Sequence, residues 1–438
     1  MPRTAARFAL AFAALAAAAA CGSSEMAGDS PPPAAAEADH AEPAGLPLAG
    51  PDGAGLSADG LSRIRPAMQA YVDDGRAAGV MTLVARRGQV AHWDAVGLRD
   101  LEAGDPLEPD DIFRIYSMTK PITSVATMML VEEGKASLDE PVATFIPEFA
   151  DVTVLAADGE RAAPDRPITI EHLLTHTSGL TYGIFGDEAV DRLYAESGFF
   201  TRAEGLEDFA RQAAALPLLA SPGDRWNYSI STDILGRVIE VASGQPLDAF
   251  FRSRIFEPLG MDDTAFVVPA DKLGRFTGHY AVEDGALALV DSPVEGEYTQ
   301  APPWLSGGGG LTSTASDYIR FAQMLLQEGR LGDTRLLAPE TVQTMRSNRL
   351  PEALVPIQLG TYLSPGYGFG LGFAVVVDAA ASPEPDNEGV FRWAGAANTF
   401  FWIDPQAELI GMVWTQINPF AAYDLEREFQ TLVYEALE

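Results

Sequence analysis

The chain has 438 residues, 47% of them hydrophobic, and its 29 basic against 62 acidic side chains give a formal net charge of −33. That charge repels nucleic acid and anionic lipid surfaces and so argues against a polyanion-binding role, while the apolar content suffices for one large core or two sub-domains. The single cysteine, Cys21, leaves no intrachain disulfide to staple the fold.

The N-terminal stretch MPRTAARFALAFAALAAAAACGSS sets Arg3 and Arg7 before an uncharged apolar run from Phe8 to Ala20. This is the layout of an export signal, and the run is too short for a comfortable membrane span. Cys21 stands where the run ends. Ala18 to Cys21 resembles the bacterial lipoprotein cleavage box, whose cysteine is lipidated, although Ala18 replaces the usual leucine. An ordinary secretory signal that contains a cysteine is the alternative. Residues 22–56 are rich in Pro, Ala, Gly and acids, with almost no large apolar side chains, and read as a disordered tether. Residues 57–438 show no comparable break and are expected to form one folded unit.

In that unit, Leu61, Ile64, Met68 and Tyr71 recur at helical spacing behind a serine N-cap, predicting a first helix. VMTLVARRG and QVAHWDAVG read as two strands joined in hairpin fashion at Arg87-Gly88. From Ser117 the spacing of Ile122, Val125, Met129 and Leu130 predicts a helix that Gly134 stops. Residues 170–350 mix helical segments with Gly/Pro-containing loops. Strands return in GFGLGFAVVV, VFRWAG, NTFFWIDP and ELIGMVWTQI, and an amphipathic helix, AAYDLEREFQTLVYEAL, closes the chain. This order predicts an α+β fold, with one antiparallel sheet built from both termini and a mostly helical lobe inserted between.

Only Lys120, Lys135 and Lys272 are lysines; the other 26 of the 29 basic residues are arginine. Lys120 follows Ser117 by three positions, which places both on one helical face. A serine hydroxyl is a weak nucleophile until a neighbour takes its proton. Lysine can do so when its environment lowers its pKa, whereas arginine stays protonated. Ser117 would also sit at the positive end of its helix, where developing anions are favoured. A solvated lysine in the first turn is the plainer explanation of the spacing, so further landmarks must decide.

They are present. YSMTKPITSVATMMLVEEGK (116–135), ITIEHLLTHTSGL (168–180), PGDRWNYSISTDILGRVIEVASGQPL (222–247), GGGGLTSTASDYIRFAQMLL (307–326) and FRWAGAANTFFWIDP (391–405) resemble, in order, the serine β-lactamase and penicillin-binding protein superfamily. The nearest likeness is to class C β-lactamase-like esterases, and it implies a β-lactamase/transpeptidase-like fold. By this resemblance Ser117 is the acyl-accepting nucleophile, Lys120 its activating partner and Tyr228 a proton-transfer residue. The N–H groups of Ser117 and Ala396 would form the oxyanion hole. Trp393-Ala394-Gly395 stands where β-lactamases carry Lys-Thr-Gly, and Ile230 where they carry asparagine. Both departures remove groups that grip a penicillin or peptide, so the resemblance implies an uncharged small-molecule ester as substrate, with no metal or organic cofactor. Trp393 as plain strand packing is the alternative to a substrate-binding role.

Other chemistries are poorly supported. No G-x-S-x-G elbow occurs. His172 and His176 have metal-ligand spacing but lack the H-E-x-x-H glutamate, and read better as structural. Gly307–Gly310 lacks the Lys-Ser/Thr of a phosphate loop and reads as a tight turn near the cleft. Trp226, Trp304, Tyr182 and Phe185 are expected either to line an apolar pocket or to pack in the core. A carboxylesterase is the leading expectation. A β-lactamase or D-amino-acid-peptide hydrolase, a transacylase and a non-catalytic binding homologue are the alternatives. The membrane enters only through the N-terminal anchor, and the oligomeric state is left open.

Overall fold

The computed structural model describes residues 46–156, 159–360 and 362–438. Its centre is an eight-stranded antiparallel sheet. We number the strands β1 (Gly79–Arg86), β2 (Gln89–Asp100), β3 (Asp105–Pro106), β4 (Tyr367–Phe369), β5 (Ala374–Val376), β6 (Phe391–Gly395), β7 (Thr399–Asp404) and β8 (Leu409–Trp414). Their spatial order is β4-β5-β6-β7-β8-β1-β2-β3, so the two ends of the chain meet where β1 pairs with β8, Met81 opposite Trp414. Arg87 and Gly88 both take positive φ between β1 and β2, the backbone that a tight hairpin demands.

The sheet is covered on both faces, and strand alternation divides its side chains between two cores. Met81, Leu83 and Ala85 join Phe401, Ile403, Ile410 and Met412 in the core beneath the helical lobe. Val80, Val84, Trp402, Leu409 and Val413 pack on the opposite face with the terminal helices. Those helices are α1 (Ile64–Asp73) and, at the end of the chain, Leu425–Glu435. The expected first helix is broken: Ala58–Ser62 is capped by Ser57, and α1 restarts at Ile64. Leu61, Ile64, Met68 and Tyr71 are nevertheless all buried.

The inserted lobe carries α2 (Thr119–Glu132) and α3 (Ser231–Ser243). Ser117 lies in a 3-10 turn, Tyr116–Met118, that runs directly into α2. Thr119 to Leu130 are all buried, so α2 is a central helix with no solvent face. The lobe also holds a strand pair, His279–Glu283 with Ala286–Asp291, which Ile417–Asn418 joins in parallel.

The tether boundary expected at residue 56 lies too late. Leu46, Ala54 and Leu56 are buried, and Leu48 bridges Val90 of β2. The few apolar residues in this acid- and proline-rich stretch suffice to seat it against the sheet. Cys21 and the expected export signal lie outside the described residues.

Candidate active site

Lys120 is almost completely buried, and its Nζ touches three oxygens. It donates to Ser117 Oγ at 3.2 Å, to the Tyr182 hydroxyl at 2.9 Å and to the Gly308 carbonyl at 2.6 Å. Three donors are what an ammonium offers. A neutral amine has two N–H bonds and one lone pair, so one partner must then turn donor. A carbonyl cannot do so, but the Ser117 and Tyr182 hydroxyls can. The geometry therefore gives Lys120 a natural proton source in Ser117.

The surroundings hold this arrangement. Asp233, buried in the first turn of α3, accepts from Ser306 Oγ at 2.6 Å and the Gly308 N–H at 2.9 Å. Tyr182 donates to its other oxygen at 3.5 Å. Asp233 thus fixes two of the three groups that touch Lys120. Burial raises its pKa, and the nearby Lys120 opposes that rise. Burial, reinforced by Asp233, pushes the Tyr182 phenol well above its ordinary value, so it stays protonated. The glycine run is needed here: a Cβ on Gly308 would come within 2.6 Å of Asp233 Oδ2 and 2.9 Å of the Tyr182 hydroxyl.

Tyr116, just before the serine, has φ of +41°, a left-handed backbone that costs a non-glycine residue roughly 1–2 kcal/mol. Its hydroxyl meets His279 Nδ1 at 3.1 Å, and its ring makes an edge contact with Tyr298, whose hydroxyl donates to the Gly309 carbonyl. Burial, then Arg114, lowers the His279 pKa to about 3, so the ring is neutral and bonds without adding charge.

Tyr228 lies beside Lys120, whose Nζ is 4.6 Å from its ring centre. Its hydroxyl is buried and has no hydrogen-bond partner among the described residues. The Trp393 ring lies 5.2 Å from Tyr228 and 5.3 Å from Phe369. Trp393 and Ala394 are half-buried on β6, and a Cβ on Gly395 would collide with the Ile115 carbonyl and Thr399 Oγ1. That close approach brings the end of β6, and Ala396 after it, alongside the Ser117 turn.

The remaining candidates separate. Tyr182 and Phe185 pack against the Tyr228 ring and Trp226 against His176 and Phe369, whereas Trp304 stacks on Phe209 and donates to the Phe200 carbonyl within the helical lobe. His172 caps its own short helix with Thr169, and buried His176 meets Ser229 Oγ at 3.2 Å. Among the described residues no cluster of metal-ligating side chains occurs. Two residues went unassigned from sequence: Tyr182 as a partner of Lys120, and Asp233. The available signal for Asp233 is an acid in the Ser231-Thr232-Asp233 stretch that opens a helix shortly after Tyr228.

A serine in contact with a buried lysine, beside an antiparallel sheet flanked by helices, is an arrangement found in a class of serine acyl-transfer enzymes. The chain belongs to the Beta-lactamase family, whose model matches residues 64–435. It is similar to Protein Rv1367c of Mycobacterium tuberculosis, 39% identical over 361 residues that cover 80% of this chain and 89% of the relative. It resembles Esterase EstB of Burkholderia gladioli at 34% identity, with 75% and 83% of the two chains covered. Monacolin J acid methylbutanoyltransferase of Aspergillus terreus is 30% identical, with 75% and 83% covered. Among solved structures, EstCE1, a hydrolase with promiscuous acyltransferase activity, aligns with a TM-score of 0.75 at 29% identity, covering 86% of this chain and 99% of its own. The chain is thus a serine-hydrolase-like enzyme of small-molecule ester chemistry, related to both esterases and acyltransferases.

Proposed function

We propose that the protein takes the acyl group of an uncharged ester onto Ser117 and passes it to an alcohol in competition with water. The observation that carries this reading is the contact of Lys120 Nζ with Ser117 Oγ inside a cage of two further oxygens. In the first half-reaction Ser117 Oγ attacks the ester carbonyl and its proton goes to the neutral amine of Lys120. The oxyanion is held by the N–H groups of Ser117 and Ala396, where one such donor is worth roughly 3 kcal/mol of barrier. The C–O bond to the alcohol then breaks, and the leaving oxygen takes the proton that Lys120 received from Ser117, with Tyr228, packed against Lys120, assisting the transfer as the family resemblance implies. The second half-reaction reverses these steps with water or a new alcohol as nucleophile.

Hydrolysis is the leading expectation from sequence, and the relatives support its alternative, acyl transfer, better. Relatives named as an esterase and as an acyltransferase each align with 75% of this chain, and a hydrolase with promiscuous acyltransferase activity shares its fold. A β-lactam substrate is disfavoured, because Ile230 is fully buried in the core and Trp393 offers no ammonium to a carboxylate. The test supplies a nitrophenyl butyrate with increasing butanol and follows nitrophenol, butyrate and butyl butyrate together. The proposal expects the ester product to grow at the expense of butyrate. Butyrate alone at every butanol concentration restores a plain esterase, and faster opening of a chromogenic cephalosporin overturns both. We further propose that the chain is exported and anchored through a lipid on Cys21.

A further inference from the structure

Tyr116, the residue before Ser117, has φ of +41°, a backbone that glycine adopts freely and tyrosine does not. Such an outlier persists only when its surroundings hold it, and here the side chain supplies the hold. The Tyr116 hydroxyl meets His279 Nδ1 at 3.1 Å and has no other hydrogen-bond partner among the described residues. Its ring lies 5.7 Å from the His279 ring and, edge-on, 6.0 Å from that of Tyr298. A hydrogen bond and an aromatic edge contact together match the cost of one left-handed residue in order of magnitude.

His279 is itself fixed. It opens the strand His279–Glu283, in which the Tyr280 N–H donates to the Gln416 carbonyl at 2.9 Å. The Gln416 side chain holds both backbone groups of Arg114, accepting from its N–H at 3.1 Å and donating to its carbonyl at 3.0 Å. Arg114 is buried two residues before Tyr116, and it donates to the Thr277 carbonyl at 2.5 Å and to Asp291 at 2.7 Å. The segments that carry His279 and Tyr116 are thus bonded to the same groups. On the other side, the Tyr298 hydroxyl donates to the Gly309 carbonyl at 3.1 Å, next to the Gly308 carbonyl that accepts from Lys120. A Cβ on Gly309 would lie 3.8 Å from the Tyr116 carbonyl carbon. The Tyr116 and Tyr298 rings therefore join the turn holding Ser117 to the loop that binds Lys120.

We infer that His279 is a positioning residue for the serine: through the Tyr116 hydroxyl it holds the left-handed turn that sets Ser117 Oγ 3.2 Å from Lys120 Nζ. This rests on the proposed function, in which Ser117 accepts the acyl group. Relaxation of Tyr116 out of the left-handed region would swing Ser117, the next residue, away from an amine that α2 buries and fixes. No hydrogen bond joins His279 to Ser117 or Lys120 among the described residues, so its effect passes through Tyr116. The His279 ring is neutral, as its burial dictates, and acts by geometry and not by charge.

The test follows the labelling of Ser117 by excess fluorophosphonate ester, with fluoride leaving, through intact mass and peptide mapping. The rate constant reports positioning and the final extent reports the folded fraction, so a merely structural defect changes only the extent. His279→Leu, which keeps bulk without a polar atom, and Tyr116→Phe should each slow labelling about 3- to 10-fold, the value of one hydrogen bond. Turnover of nitrophenyl butyrate should fall in step through kcat, with KM little changed. The double variant should be no slower than either single one, because both remove the same contact. His279→Asn, whose amide stands where Nδ1 stands, should return the rate to within about twofold of wild type. If His279→Leu fails to fold, Tyr116→Phe decides by the same rate, since it removes a single oxygen. Wild-type rates in both single variants, losses that multiply in the double variant, or an Asn variant as slow as Leu overturn the inference. In each of those cases, labelling of wild-type Ser117 leaves the proposed function standing. A wild type that takes no label on Ser117 overturns the proposed function and the inference with it.

Discussion

Tyr182→Phe removes one atom from the centre of the site and leaves nearly everything else in place. The lost hydroxyl sits 2.9 Å from Lys120 Nζ and 3.5 Å from Asp233 Oδ2. Asp233 keeps its stronger donors, Ser306 at 2.6 Å and Gly308 N–H at 2.9 Å, and Lys120 keeps Gly308 and Ser117. The ring contacts with Phe185, Phe200 and Tyr228 survive in phenylalanine. A hydrogen bond to a charged group contributes about 1.5–3 kcal/mol, which at 1.36 kcal/mol per decade is about 10- to 150-fold. We expect kcat on a nitrophenyl ester to fall by that factor with KM little changed, while thermal unfolding shifts by no more than the value of one ordinary hydrogen bond. A fall in kcat below threefold would refute the assignment of Tyr182 to the Lys120 cage. An equally large loss of stability would make its role structural instead.

Gly395→Ala should destabilise the fold by about 1–3 kcal/mol and abolish most turnover, because its Cβ collides with the Ile115 carbonyl and forces β6 from the Ser117 turn; chemical unfolding and ester turnover on one preparation check this. Asp111 supplies a pH signature: burial pushes its pKa up to about 7, from an unfolded value near 3.9. The folded state therefore holds the proton more tightly, and this group's contribution to stability is lost as pH rises from about 4 to 7. Asp111→Asn should gain on wild type across that window, by on the order of 2–4 kcal/mol, in denaturant titrations at pH 5 and 8. A flat difference contradicts it. Cys21→Ser should release the protein from the membrane fraction of an expressing bacterium and abolish incorporation of labelled palmitate.

The sequence announces Ser117 and Lys120 because their contact is local: three residues along one turn suffice to bring them together. It also announces the sheet, since the alternating apolar strands at both ends can be buried only by pairing with one another. What it hides depends on closure over distance. Tyr182 reaches Lys120 across 62 positions and Gly308 across 188, and no local pattern marks either as a lysine partner. The stretch GFGLGFAVVV reads as one strand but folds as two, because Gly372 takes φ of +96° and turns β4 back onto β5. Residues 46–56 look like tether by composition, yet Leu46, Ala54 and Leu56 are seated in the fold. Trp226 is grouped with Trp304 as pocket or core; only tertiary structure separates its packing on His176 and Phe369 from the lobe that holds Trp304.

The most direct test of the account is intact-mass spectrometry of the acid-quenched enzyme during turnover of nitrophenyl butyrate, followed by peptide mapping. The account predicts an added butyryl group on the peptide holding Ser117 that disappears when butanol is added, with butyl butyrate appearing in its place. The adduct should be absent from Ser117→Ala and should not accumulate in Lys120→Arg, whose guanidinium cannot accept the serine proton. Turnover without any adduct on Ser117, or an undiminished adduct in Lys120→Arg, would contradict it.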